Sequence, residues 1–192
     1  GYVGLRTKHG AASFILLYVQ VYTYSACIML IVRLLHPEWV TENDTLHALM
    51  PLGYGEYWYY TAYCGIFFFM PLMNAAVEHL SRTQFWSTAA GMILLYSAYR
   101  SLLQKDIFTV KNGYTAIWLL ILYYLGAGLR RHVTLTKKAV PIGFAVYIAG
   151  SVLAWLGTED PDRFLNLRYD SASVLAASVG LFLACGALPI KR

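Results

Sequence analysis

Residues 12–35 read ASFILLYVQVYTYSACIMLIVRLL, and this stretch decides the fold class. Its only charged residue is Arg33. An α-helix rises about 1.5 Å per residue, so a run of roughly 20 apolar residues crosses the ~30 Å hydrocarbon core of a membrane. The stretch therefore predicts a membrane-spanning helix.

Similar apolar runs recur along the rest of the chain. The predicted spans are Ala12–Leu35, Trp58–Val77, Phe85–Leu103, Gly113–Leu129, Ala139–Gly157 and Ser171–Ile190. The runs do not alternate between apolar and polar residues, as the strands of a membrane barrel do. A spanning helix satisfies its own backbone hydrogen bonds. The predicted fold class is all-α, a polytopic transmembrane bundle of about six spans that forms one membrane domain.

The composition agrees with this interpretation. Hydrophobic residues make up 58% of the chain and charged residues 13%, whereas about a quarter of an ordinary soluble domain is charged. The three cysteines are far apart and form no C-x-x-C pair, so neither redox chemistry nor a zinc site is indicated. We expect no metal ion and no bound cofactor.

The distribution of charge predicts the orientation. If residue 1 lies inside, the inner segments hold nine basic residues and one acidic residue, and the outer segments hold six basic and nine acidic ones. Lys and Arg accumulate on the cytoplasmic side of a membrane. Both termini are therefore predicted to be cytoplasmic. The net charge of +5 indicates contact with anionic membrane lipid, and no nucleic-acid partner is expected.

Aromatic residues gather at the predicted outer entrance of the second span, where Glu56 precedes Trp58, Tyr59 and Tyr63. Flat aromatic faces with nearby polar groups suit sugar rings, which have apolar faces and polar edges. The alternative is an aromatic belt at the membrane interface, which enriches the same residue types. Both interpretations remain open on composition alone.

Two positions in the spans predict local structure. Pro71 cannot continue a regular helix, so we expect a kink near residues 70–74, with a freed backbone carbonyl as a partner for the Asn74 amide. Gly126 and Gly128 predict the close approach of a neighbouring helix to the fourth span.

The first span carries a polar stripe of Tyr18, Tyr22 and Ser25, with Gln20 and Tyr24 on an adjacent face. Polar side chains within a membrane face a partner helix or a water-filled path. Hydrogen bonding between helices and a substrate path are equally supported by the pattern.

Basic residues gather on the predicted inner side, where Arg6, Lys8, Arg82 and Arg130 are candidates for holding the phosphates of a nucleotide-type donor. The alternative is that they only set the topology. None of the five histidines lies in a predicted span. The sequence therefore shows no obvious general base for acyl transfer.

Several motifs resemble those of the bacterial acyltransferase-3 membrane proteins, the O-antigen-acetylase-like enzymes. Residues 57–74, YWYYTAYCGIFFFMPLMN, resemble the family's W-Y-x-x-x-Y helix that ends in P-x-x-N, and residues 80–85, LSRTQF, resemble the turn that follows it. Residues 112–119, NGYTAIWL, and 122–127, LYYLGA, resemble its N-G-Y-S-x-x-W-L and L-Y-L-x-G-A patterns. The motifs occur in the family's order, and the resemblance covers essentially the whole chain.

The resemblance implies a function and a setting. An acyl group such as acetyl would pass from a cytoplasmic acyl-CoA, a substrate rather than a bound cofactor, to a hydroxyl of a cell-surface polysaccharide or its lipid-linked precursor. The setting would be the bacterial cytoplasmic membrane. Trp58, Tyr59, Asn74 and Tyr114 are carried over as motif positions. The family's histidine lies on a helix that would precede residue 1, so the chain is expected to be the middle of a roughly ten-helix protein and inactive alone.

Two other functions remain open from the sequence. The first is a non-enzymatic transport or export component, in which the polar first span lines a pathway. The second is a structural bundle or sensor, in which the polar residues only join helices.

Overall fold

The structure is a computed structural model that describes residues 1–6, 10–54, 57–103, 105–158 and 167–188; the side chains of Arg6 and Ser101 lie outside that description. The described residues form α-helices and short helical turns, without strands. The α-helices are α1 (Ala11–Leu35), α2 (Glu42–Leu49), α3 (Trp58–Phe67), α4 (Met70–His79), α5 (Arg82–Ile93), α6 (Tyr99–Leu103), α7 (Ala116–His132), α8 (Ala139–Leu156) and α9 (Ala172–Gly186). The all-α prediction is confirmed.

Two of these helices, α1 and α8, are long and apolar enough to cross a membrane. Helices α3 and α4 together make a third candidate, although they are bent by 61° at the break between them. Helix α9 is apolar but shorter. The described residues thus include the apolar helices of a membrane protein. Each of the six predicted spans overlaps at least one helix, but only two or three spans meet the length and hydropathy of a membrane crossing.

The break in the second predicted span lies at residues 68–69, just before the predicted kink. Pro71 stands in the first turn of α4. A proline in this position lacks the N–H that would bond the preceding turn, and its ring would clash with the carbonyl of Phe67 in a continuous helix. One helix therefore ends at Phe67, and a second begins at Met70.

Two of the resembled motifs have local structural explanations. In residues 80–85, Ser81 Oγ accepts a hydrogen bond from the Gln84 backbone N–H, and Gln84 Oε1 accepts one from the Ser81 N–H. This reciprocal capping box starts α5. Thr115 caps α7 with a single hydrogen bond, because its Oγ1 accepts from the Trp118 N–H, and the Trp118 side chain is 2% exposed in the core.

Small residues set the helix packing, but mostly at positions that the sequence pattern did not single out. A Cβ on Gly143 would lie 2.5 Å from the Gly180 carbonyl oxygen, and one on Gly150 would lie 2.7 Å from the Ser173 carbonyl oxygen, so α8 and α9 touch backbone to backbone. Gly126 is instead approached by the backbone of Tyr2, and Gly128 by the Phe85 ring. Both predicted glycines are therefore closely approached by other residues, but in neither case by the backbone of a neighbouring helix.

Candidate functional site

An aromatic trio lies where α3 and α7 begin. The Trp58 and Tyr114 rings meet edge to face with centroids 4.7 Å apart, and Tyr114 meets Tyr169 in the same way at 5.1 Å. Trp58 also stacks on Tyr169 at 6.0 Å. All three rings remain partly exposed, at 37%, 44% and 51%. We call this end of the bundle the aromatic end, and its rings present apolar faces and polar edges at the surface.

A buried ion-pair network joins the segments that carry Tyr114 and Tyr169. The Arg100 guanidinium donates to the Asp170 carboxylate, whose side chain is 1% exposed, and to Asn112 Oδ1 at 2.7 Å. Asp106 lies 3.5 Å from Arg100, and Arg168 lies 3.5 Å from Asp170. Buried charges persist where they are paired and hydrogen-bonded. The network ties the loop before α7 to the loop before α9.

The loop before α7 has an unusual backbone. Asp106 accepts hydrogen bonds from the Val110 and Lys111 N–H groups, both at 2.7 Å. Asn112 and Gly113 then adopt φ values of 61° and 91°, in the left-handed region. Such conformations are strained for residues with a side chain and concentrate at functional sites. This backbone path brings Asn112 Oδ1 within hydrogen-bond distance of Arg100 and places the Tyr114 ring between those of Trp58 and Tyr169.

A cavity of about 610 Å³ opens beside the trio. Its walls include Asn112, Tyr114, Thr158, Arg168 and Tyr169. It therefore offers aromatic faces, a guanidinium, an amide and a hydroxyl within one space. We call it the Arg168 cavity.

The other end of α7 carries the basic residues. Arg130 lies over the Tyr2 ring at 5.1 Å, and the His132 ring lies 5.1 Å from that of Phe85. Burial, followed by the charges of Arg131 and Arg82, lowers the pKa of His132 below its usual range. Neither Arg130 Nε nor His132 Nε2 has a hydrogen-bond partner among the described residues. We call this end the basic end; it lies about 25 Å from the aromatic end, since α7 has 17 residues.

The predicted sugar-site residues separate into two places. Trp58 and Tyr114 meet in the trio, whereas Tyr59 and Tyr63 line a different cavity of about 510 Å³ together with Tyr123. Glu56 lies outside the described residues. The aromatic residues that were predicted to form one outer entrance thus lie on two neighbouring surfaces at the start of α3.

Asn74 finds partners other than the predicted one. Its amide donates to the Gly4 carbonyl oxygen at 3.0 Å, and its Oδ1 accepts from the Tyr123 hydroxyl at 2.9 Å. The prediction of a kink carbonyl was wrong, because the Asn74 amide nitrogen donates to Gly4 of the N-terminal segment instead. Asn74 instead joins the N-terminal segment to α4 and α7.

Of the donor-site candidates, the structure brings Arg82 and Arg130 to the same end of the bundle, since Arg82 acts on His132 from the start of α5 and Arg130 lies in the last turn of α7 with His132. The side chain of Arg6 and all of Lys8 fall outside the described residues. In the described part of the chain, no group of three His, Cys, Asp or Glu side chains is placed to hold a metal ion.

The polar stripe of α1 is more covered than the face beside it. In the stripe, Ser25 is 5% exposed, Tyr18 is half-buried and Tyr22 is 38% exposed, whereas Tyr24 on the adjacent face is 63% exposed. The stripe therefore becomes buried toward Ser25.

Sequence reasoning missed Arg100, Asn112, Arg168, Tyr169 and Asp170 as site residues, because the charged ones were counted only for topology. One signal pointed to the network. Arg100 lies within the apolar run of the third predicted span, and a charge in such a position needs a buried partner. A π-helical turn at Leu94–Ala98 also precedes it, and such turns are frequent at functional sites.

The chain was compared with protein-family models, with curated proteins and with solved structures. None of the three comparisons finds a match.

Proposed function

We propose that the chain is the acceptor-binding part of a bacterial membrane O-acyltransferase. It would bind a glycan at the aromatic end and the phosphates of an acyl-CoA at the basic end. The acyl group, acetyl in the simplest case, would pass to a glycan hydroxyl. The proposal rests on the resemblance of the motifs and on one structural observation: the Arg168 cavity and the basic end lie at opposite ends of one helix, α7.

The chemistry of the Arg168 cavity supports a sugar ligand. Tyr114 and Tyr169 offer rings for the apolar faces of a sugar, while Asn112, Thr158 and Arg168 offer hydrogen-bonding groups for its hydroxyls. An aromatic belt requires no cavity and no buried ion pairs behind the rings. The Arg100–Asp170 network therefore favours a binding site over a belt.

The basic end suits a phosphate-bearing donor. Guanidinium groups bind phosphate oxygens through paired hydrogen bonds. Arg82 acts on His132 from the start of α5, and Arg130 lies in the same last turn of α7 as His132, whose lowered pKa keeps its ring neutral at physiological pH. The ring then adds no further charge to that of the arginines.

In this proposal the bundle crosses the bacterial cytoplasmic membrane six times. Both termini and the basic end face the cytoplasm, where acyl-CoA is made, and the aromatic end faces outward. The 61° bend between α3 and α4 lies within one span. No described residue lining the Arg168 cavity is a histidine, so the proposal assigns acceptor binding, and no proton transfer, to this cavity.

The test measures steady-state kinetics of the complete gene product in nanodiscs, with radiolabelled acetyl-CoA and envelope polysaccharide as substrates. Trp58→Ala should raise KM for the polysaccharide about tenfold and leave KM for acetyl-CoA unchanged. Arg130→Gln should raise KM for acetyl-CoA and leave KM for the polysaccharide unchanged. The reason is that it removes a charge-assisted hydrogen bond to phosphate, and such a bond contributes about 1.5–3 kcal/mol. Trp155→Ala is the matched control, since this exposed tryptophan lines neither site.

No label in the polysaccharide, with the wild-type protein correctly inserted, would overturn the enzymatic proposal and favour the export alternative. Equal effects of Trp58→Ala and Arg130→Gln on both KM values would overturn the assignment of the two ends.

A further inference from the structure

A second cavity lies at the aromatic end, beneath α2. It has a volume of about 330 Å³ and lies between the C-terminal half of α1 and the short helix α2. Its walls include Ser25, Trp39, Asp44, His47 and Tyr57. We call it the Asp44 cavity.

The polar groups of the Asp44 cavity are placed to meet a ligand. Ser25 is 5% exposed and lines the cavity from an apolar helix. Asp44 Oδ2 accepts from the Thr41 N–H at 2.9 Å and the Thr41 hydroxyl at 2.6 Å, whereas Oδ1 has no hydrogen-bond partner in the described part of the chain. These bonds hold the pKa of Asp44 below its usual range, so the carboxylate accepts hydrogen bonds at neutral pH.

The aromatic walls are held in fixed orientations. The Trp39 ring stacks on His36 with centroids 4.0 Å apart and 9° between the planes, and the His47 ring stacks on Tyr54 at 4.1 Å. Trp39 is nevertheless 68% exposed. A stacked but exposed indole is a preorganised platform, which lowers the entropy cost of binding.

The two cavities flank consecutive residues. Tyr57 lines the Asp44 cavity, while the neighbouring Trp58 contacts Tyr114 and Tyr169, both of which line the Arg168 cavity. Adjacent Cα atoms are about 3.8 Å apart. The start of α3, which we call the Tyr57–Trp58 ridge, therefore contacts the Asp44 cavity at one residue and the walls of the Arg168 cavity at the next. Both cavities are lined by aromatic rings and polar groups.

We propose that the Asp44 cavity is a second sugar subsite, and that the acceptor is an oligosaccharide or polysaccharide that crosses the Tyr57–Trp58 ridge. The inference rests on the proposed function, because it takes the Arg168 cavity as the first sugar site. The second subsite predicts that an oligosaccharide of several sugars binds more tightly than a single sugar. Trp39 and Asp44 supply the additional contacts.

The test is calorimetric binding to the complete protein in nanodiscs, without acyl donor. The probes are fragments released by mild acid from the envelope polysaccharide of the source strain and sorted by length. The Kd should fall roughly tenfold, or about 1.4 kcal/mol, from single sugars to longer fragments, because the longer fragments gain a stacked contact with the Trp39 ring. Trp39→Ala should remove this gain, and Asp44→Asn, which preserves the side-chain shape, should reduce it.

Trp155→Ala is the matched control and should retain the full gain with length. Equal Kd values for all fragment lengths, or a gain that survives Trp39→Ala, would overturn the second subsite. Length-dependent binding that Trp39→Ala removes, in a protein that transfers no acyl group, would support the subsite and refute the enzymatic proposal. The two ideas can therefore fail separately.

Discussion

Arg100 and Asp170 form a buried ion pair although 70 residues separate them in the chain. Their side chains are 10% and 1% exposed. The pair joins α6 to the residue before Ser171, which starts α9, and it also fixes Asn112 through the second guanidinium nitrogen. The loops that carry the Arg168 cavity are therefore joined through the Arg100–Asp170 pair and the hydrogen bond to Asn112.

Asp170→Asn should destabilise the protein by about 3 kcal/mol, because it removes the closer carboxylate partner of the buried Arg100 guanidinium and leaves only Asp106, which lies 3.5 Å away and is 26% exposed. Unfolding can be followed with a thiol-reactive dye at the buried Cys64, after the exposed Cys27 and Cys185 are replaced by Ser. The double variant Arg100→Met/Asp170→Asn should be more stable than Asp170→Asn. A double variant less stable than either single one would contradict an isolated buried pair.

Gly113→Ala should destabilise the protein by about 1–3 kcal/mol. Gly113 has φ of 91°, and an added Cβ would lie 2.6 Å from Tyr169 Cβ and 3.2 Å from Asp170 N. The control is Gly91→Ala within α5, where an added Cβ meets no atom within 4 Å; it should stabilise by about 0.5–1 kcal/mol through helix propensity. Thermal unfolding of the two variants gives the comparison, and equal stabilities would refute the assigned role of the left-handed backbone.

Much of the fold could be predicted from the sequence, because apolar runs and helix breakers are local signals. The six predicted spans each overlap a helix, and the break beside Pro71 follows from the chemistry of one residue. The close contact between Gly143 and Gly180 was not predicted. It depends on which helices become neighbours, and hydropathy carries no information about that.

The candidate site was only partly predictable for the same reason. The aromatic pattern singled out Trp58 and the motif resemblance singled out Tyr114, and the structure brings these two rings together next to two helix starts. Their third member, Tyr169, and the charges of Arg100 and Asp170 come from distant segments. In the sequence Asp170 resembled an ordinary loop charge, whereas Arg100 within an apolar run indicated a buried partner without identifying it.

Asn74→Leu should reduce acyl transfer by the complete protein more than it reduces membrane insertion. The amide joins Gly4 and Tyr123, so its loss leaves a carbonyl and a hydroxyl without these hydrogen bonds, at about 1–3 kcal/mol for each group that stays buried. Insertion depends on the apolar spans, which the substitution preserves. Transfer activity per inserted molecule is the measurement, and Tyr123→Phe is the matched variant, which should have a smaller effect. Unchanged activity of Asn74→Leu would show that the amide is only tolerated.

His132 should make the protein less stable in mild acid. Its folded-state pKa lies below the ordinary value of about 6.5, so the unfolded chain binds the proton more readily. Stability is therefore complete above the unfolded pKa, declines as the pH falls below it, and levels off below the folded pKa. Unfolding temperatures between pH 8 and 5 should show this decline, and His132→Gln should flatten it while His47→Gln should not. A decline of equal size in His132→Gln would assign it to another group.

The orientation of the bundle can be tested at the two ends of α7. Thr134 is exposed just beyond the basic end, and Ile107 is 57% exposed in the loop before α7. In a protein without its native cysteines, Thr134→Cys should react with a membrane-impermeant maleimide only in permeabilised cells, because the arginine-rich end of a membrane helix stays in the cytoplasm. Ile107→Cys should react in intact cells, since the span of α7 separates the two positions. Both variants need equal expression and equal labelling after detergent solubilisation, so that a difference in intact cells reports only the side of the membrane. Labelling of Thr134→Cys in intact cells would reverse the proposed topology and would place the basic end away from cytoplasmic acyl-CoA.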